Sequence, residues 1–247
     1  MKIIISPAKK MQVDTDSFSN NALPQYLDEA NQILDVLTQK SYTELKNLWN
    51  CSDKIAQENY LILQKTDLYQ NLTPAIIAYS GIQYQYMAPD LFTSKALNYV
   101  QSNLRILSGF YGILRPFDGV VPYRLEMQAP LKMGNNNNLY EFWGDKLYTA
   151  LDNSDQSIIN LASQEYSKII RRYLNNQNQL VDIVFGQIID GKIKTRATLA
   201  KMARGEMVRF MAENNVHELT GLTKFNRLNY HYVSELSTDS KLTFLKS

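Results

Sequence analysis

The sequence predicts a mixed α/β (α+β) domain, in which a mixed sheet is surrounded by helices. Three observations carry this reading. Short β-branched or apolar runs recur along the chain, as at Lys2 to Ile5 and Ser157 to Leu161. Between them lie stretches whose apolar residues fall at helical spacing. The two types alternate without a strict strand–helix–strand repeat, which favours a sheet of mixed direction. No internal repeat and no long linker divides the 247 residues, so the chain reads as one domain spanning 1–247.

The elements follow in order. Lys2 to Ile5 is a strand. Pro24 suits the first turn of a helix reaching Gln39, with Leu27, Ala30, Ile33, Leu34 and Leu37 on one face. Ser41 and Glu44 have capping-box spacing and open a second helix through Leu45, Leu48 and Trp49. Ser52 caps a third, carrying Ile55, Tyr60, Leu61 and Leu63. Ala75 to Tyr79, after Pro74, and Arg105 to Leu107 read as strands. Asn135 to Asn138 form an exposed loop before a helix over Leu139 to Leu151. Ser157 to Leu161 is a buried strand, followed by a helix from Ser163 or Gln164. Val181 to Ile189 is a strand that turns at Asp190-Gly191 into Lys192 to Lys194. Thr198 to Asn214 is a helix with a basic face, and Leu228 to Val233 and Leu242 to Leu245 are late strands.

Composition removes several function classes. With 45% hydrophobic and 20% charged residues the chain is an ordinary globular one. The single cysteine, Cys51, excludes an internal disulfide and a cysteine-rich zinc site. Only His217 and His231 are available to a triad or a histidine metal site, so no metal and no cofactor are expected. No apolar run approaches the roughly 18 residues of a membrane span. The opening run Ile3-Ile4-Ile5 is too short for a signal peptide. The expectation is a cytoplasmic protein without a membrane partner. Dinucleotide, Walker, nucleophile-elbow and zinc-protease motifs are missing.

Charge is unevenly placed. Residues 14–58 carry eight acids against three lysines, and residues 165–210 carry nine bases against four acids. Basic residues gathered on one face would attract a phosphate backbone or a small anion. Polar clusters stand where strands end. Ser6-Pro7-Ala8-Lys9-Lys10 follows the first strand, a common place for binding loops. Gly109 and Gly112 flank a tight path leading to Arg115, which Pro116 holds extended. Arg124 and Glu126 alternate with Tyr123, Leu125 and Met127, so in a strand they would share a face. Tyr140 to Asp145 lies near a helix start, with Phe142 and Trp143 reading as core, and at Asn160 to Lys168 a strand ends and a helix begins, whose free N–H groups suit anions. Lys201, Arg204 and Arg209 occupy one side of a helix.

Taken together, in this order and spacing, these segments and Ser52-Asp53-Lys54 resemble the YaaA family of bacterial peroxide-stress proteins over nearly the full length. The resemblance implies a cytoplasmic protein, induced by hydrogen peroxide, that lowers available iron and limits oxidative damage. It implies binding to double-stranded DNA. It also implies one domain of unusual topology with a positively charged cleft and a helix-hairpin-helix-like element. The segment matching that element runs from Ser41 through Asn50 and Cys51 to the helix after Ser52. Its turn has no glycine and its surroundings are acidic, so the cleft cations are the expected phosphate contacts: Lys9, Lys168, Lys201, Arg204 and Arg209, with Arg115 and Arg124 deeper. The competing reading is an enzyme acting on nucleic acid or a nucleotide, with Glu126, Asp145 and Glu165 as the available acids and Lys9 or Lys168 as amines. A small anionic ligand in the same cleft remains open. Direct iron binding is disfavoured by the two histidines. Peroxide sensing at Cys51 is disfavoured by its place beside Trp49 and Asp53 between two helices.

Overall fold

The computed structural model describes residues 1–151, 157–175 and 178–247. Its main sheet contains β1 (Lys2–Ile5), β2 (Leu104–Ser108), β3 (Gly112–Leu114), β4 (Ser157–Leu161), β5 (Gln179–Ile189), β6 (Lys192–Lys194), β7 (Tyr230–Tyr232) and β8 (Lys241–Lys246). The order across it is β7-β8-β5-β4-β1-β2-β3, with β6 paired to β5. The sheet is mixed, as the sequence predicts. Its antiparallel pairs are confined to β3, β6 and β7. The five strands between β8 and β2 are parallel.

The apolar runs explain this core. Ile3, Ile4 and Ile5 of β1 are all fully buried. A strand covered on both faces loses its alternation and reads as a continuous apolar run. Ile3 lies opposite Leu104 on one side and Ile159 on the other. Burial of each such side chain contributes about 2 kcal/mol. The Asp190-Gly191 turn forms as expected, with both residues at positive φ (53° and 71°), the geometry of a two-residue hairpin loop.

The longer helices are α1 (Leu27–Thr38), α2 (Tyr42–Trp49), α3 (Asp53–Leu63), α4 (Ile82–Met87), α5 (Ser94–Asn103), α6 (Gln164–Arg171) and α7 (Ala197–Glu213). Ser41 and Glu44 make the expected capping box on α2. The α2–α3 pair turns at Asn50, which is left-handed, and is tied by Lys46 to Asp53 at 2.7 Å and by the Tyr42 hydroxyl to Asp53 at 2.9 Å. Asp53 is thus held by its own hairpin.

Three expectations need correction. Ala75–Ala78 is a single helical turn, not a strand. It is fully apolar, and a short apolar run carries no period to separate helix from strand. The helix expected over residues 139–151 is broken into Leu139–Trp143 and Lys146–Thr149 at Gly144, where φ is +52°. The late strand is shortened to Tyr230–Tyr232, because Leu228 and Asn229 take positive φ and turn the chain first. The sequence reading left α4, α5 and β3 unassigned. No helix among the described residues is long and apolar enough to cross a membrane.

α7 packs closely on α4. A Cβ placed on Gly205 would lie 2.1 Å from the Gln83 carbonyl oxygen and 2.9 Å from the Met87 nitrogen. Both are backbone atoms, so neither can swing away. Gly205→Ala is therefore expected to destabilise the fold by about 1–3 kcal/mol, the cost of overpacking, although alanine is the better helix former. Urea unfolding of the two proteins measures this. An unchanged or raised midpoint would show that the two helices can separate freely.

Candidate functional site

The connection leaving β1 leads to β2 on one side, and the chain later returns as β4 on the other side. The strand order therefore reverses at β1. A crevice then opens beyond the carboxyl ends of β1 and β4, where parallel α/β sheets generally bind ligands. A cleft of about 530 Å³ lies at this position. Its walls come from the segments after β1 (Ser6 to Lys10) and β4 (Ser163 to Tyr166), from residues 80–84, from residues 123–126 and from α7.

The two strand ends are tied directly. The Ser6 hydroxyl accepts from the Ser163 backbone N–H at 2.8 Å and donates to the Ser163 hydroxyl at 3.2 Å. The Tyr84 hydroxyl donates to the Ser6 carbonyl at 3.0 Å. Ser163 is the N-cap of α6 but makes no side-chain capping bond. Behind it, the Asn160 carboxamide accepts from the Ala162 N–H and donates to Asp182, which also receives Arg171. The opposite wall is drawn close by Gly109: a Cβ there would lie 2.8–2.9 Å from backbone atoms of Leu125, Glu126 and Met127. Tyr123 bonds to the hydroxyls of Tyr79 and Ser108 at 2.8 and 2.7 Å, and burial pushes it up to about 12.

Five basic side chains line the cleft, Lys9, Lys10, Arg124, Lys201 and Arg204, against the two acids Glu126 and Glu165. Lys9 and Glu126 pair at 2.6 Å. Burial raises Glu165 above the usual carboxylate range, and the Glu126 charge adds to this. The Gln128 and Met127 N–H groups and Lys9 oppose it. Burial lowers the Arg204 guanidinium, and the Asp182 charge opposes that shift. The Nε atoms of Arg124 and Arg204 and the Nε2 of Gln83 are buried without a hydrogen-bond partner. Among the described residues there is no cluster of three or more metal-ligating side chains.

The family model for peroxide stress protein YaaA matches residues 1–236. The chain belongs to the YaaA peroxide stress protein family. It is 58% identical over its full length to a UPF0246 protein of Pediococcus pentosaceus, covering 98% of that protein. It is 58% identical to a UPF0246 protein of Lactiplantibacillus plantarum, with 99% of each chain covered. A UPF0246 protein of Agathobacter rectalis is 52% identical over 99% of this chain and 98% of its own length. Membership associates the chain with peroxide stress.

Within this YaaA-family chain, Lys9, Arg124, Lys201 and Arg204 meet at the cleft. Lys168 lies instead over the Tyr140 ring, 4.9 Å from its centroid. Arg209 pairs with Glu213 at 2.8 Å, in a network with Arg227. Arg115 lines a separate depression of about 180 Å³ with Arg105 and Asp118. Arg124 and Glu126 both face the cleft, from an extended segment outside any strand, and Glu126 pairs with Lys9. Sequence reasoning missed the wall from Ser80 to Tyr84, where Gly81 between two short elements was the one available signal. Cys51 is half-buried.

Asp118 stands at the Arg115 depression, 3% exposed, accepting the Arg115 N–H at 2.8 Å. Burial raises it from 3.8 to about 6, against the opposing Arg115 and Arg105 charges. The folded value lies above the unfolded one, so the folded state holds the proton more tightly. The stability it gives is present in full below 3.8 and is lost as pH rises through about 6. Relative to Asp118→Asn, the wild type should lose on the order of 3 kcal/mol of unfolding free energy over that window. Urea titrations of both proteins at acid and neutral pH measure it. A constant difference between them would refute the buried carboxyl.

Proposed function

We propose that the protein acts in peroxide defence by binding duplex DNA across the mouth of this cleft. In the same reading, DNA binding serves to limit iron-driven oxidative damage. The observation that carries it is the convergence of Lys9, Lys10 and Lys201, all exposed, from distant parts of the chain onto one rim. Exposed lysines suit phosphates as point charges. They carry no base information, so sequence preference should be weak. Each neutralised phosphate contributes about 0.9 to the log–log salt slope.

A second reading rests on the acids. Glu165, raised by burial, is suited to hold a proton, while Glu126 is engaged as an ion pair with Lys9. A proton donor beside a paired carboxylate is a usual arrangement for acid–base work on a nucleotide or nucleic acid.

Duplex binding measured against salt tests the first reading. The Lys10→Ala, Lys201→Ala double variant should show a slope shallower by about 2 than wild type. The Lys168→Ala, Arg209→Ala double variant, altered away from the cleft, should keep the wild-type slope. Equal slopes for wild type and the first variant would remove DNA from the cleft. Product formed from nucleotides or damaged DNA by wild type, and lost in Glu165→Gln with binding retained, would establish the second reading.

A further inference from the structure

We infer that the floor of the cleft is a site for a phosphomonoester of mononucleotide size, its phosphate seated at the N-terminus of α6 beside the Ser6–Ser163 pair. The inference rests on the cleft as an anion site but does not require that a duplex bind there. The floor and the rim differ in chemistry. A duplex presents its phosphates on a broad convex surface, which suits exposed lysines. It cannot enter a cleft of about 530 Å³, a volume typical of small-molecule sites.

The floor carries groups that the rim does not. Gln83 is 7% exposed, lines the cleft, and leaves its Nε2 without a hydrogen-bond partner. Arg124 and Arg204 also line it, each with a buried and unpartnered Nε. Buried donors left unpaired are costly, so three around one cavity mark where acceptors belong. A phosphomonoester supplies such acceptors, and its ester-linked portion can reach Gln83, Tyr84 and Tyr123. α6 contributes the positive end of its dipole, and its N-cap serine makes no side-chain capping bond. Glu165 would repel a phosphate if charged. Burial shifts it toward the neutral form, which lessens that repulsion.

The test is calorimetric titration of the full chain with nucleoside monophosphates, ribose 5-phosphate, inorganic phosphate and unphosphorylated nucleosides. At least one phosphomonoester should bind tenfold or more tightly than both inorganic phosphate and its own nucleoside. Equal binding of ribose 5-phosphate and a nucleotide would still support the site and would leave the base without a contact. Gln83→Met and Ser163→Ala should each weaken phosphomonoester binding at least fivefold, with wild-type thermal melts and an unchanged salt slope for duplex DNA. The inference is overturned if no phosphomonoester exceeds inorganic phosphate on wild type. It is also overturned if both variants bind like wild type. Failure of the wild type to bind duplex DNA, with phosphomonoester binding retained, would count against the DNA reading and leave this site standing.

Discussion

The central position of β1 is the constraint on which the rest depends. Its three isoleucines are fully buried and hydrogen-bonded neighbours lie on both sides, so the strand has no freedom of register. A slip of one residue would exchange its faces and displace Ser6 from Ser163. The bond between those two serines joins the ends of β1 and β4, and the cleft is built outward from it. Two walls are placed by packing against this frame: α4 through Tyr84 to the Ser6 carbonyl, and α7 through its contact at Gly205 with α4.

The cleft is electrostatically tense. Five cations face two acids in a concave, partly dry space. Lys9 and Glu126 relieve part of this by pairing, and Arg204 has the Asp182 charge nearby. Neither Arg124 nor Arg204 has a partner for its Nε. Groups held this way are costly in a protein that needs only its fold, since burial of a charge must be compensated. A cavity that keeps buried guanidinium groups and a raised carboxyl together is more readily explained by a ligand than by stability.

The parts of the fold legible in the sequence were those with a clear period or a stereochemical marker. The isoleucines of β1, the capping box at Ser41 and the turn at Asp190-Gly191 each state their structure locally. Ala75 to Ala78 does not, because a four-residue buried apolar run suits either element and tertiary context chose helix. The break at Gly144 was equally hidden, since a glycine inside an apolar pattern is tolerated in many helices. At the cleft, Lys9, Arg124, Lys201 and Arg204 stand out as basic residues beside strand ends or on a helix face. Their separation from Lys168, Arg209 and Arg115 depended on which way each element faces, and that is fixed by packing across the sheet. Gln83 could not have been found by chemistry of residue type, because only its burial without a partner distinguishes it.

The two sets of cations should also respond to their surroundings on different scales. Charges on the rim act through water, and at physiological ionic strength their reach is about 8 Å. The field of Lys9, 66% exposed, and of its neighbours on the rim is therefore short-ranged and fades with added salt. Arg204, held beneath the surface, acts in a medium where screening is weak. Its backbone is fixed by a helix whose glycine is pressed against α4. The strong screening at the mouth and the weak screening at the floor are thus consequences of one geometry. Lys9 and Lys10 follow the end of β1, while Lys201 and Arg204 share α7, which is locked to the flank of the sheet through α4.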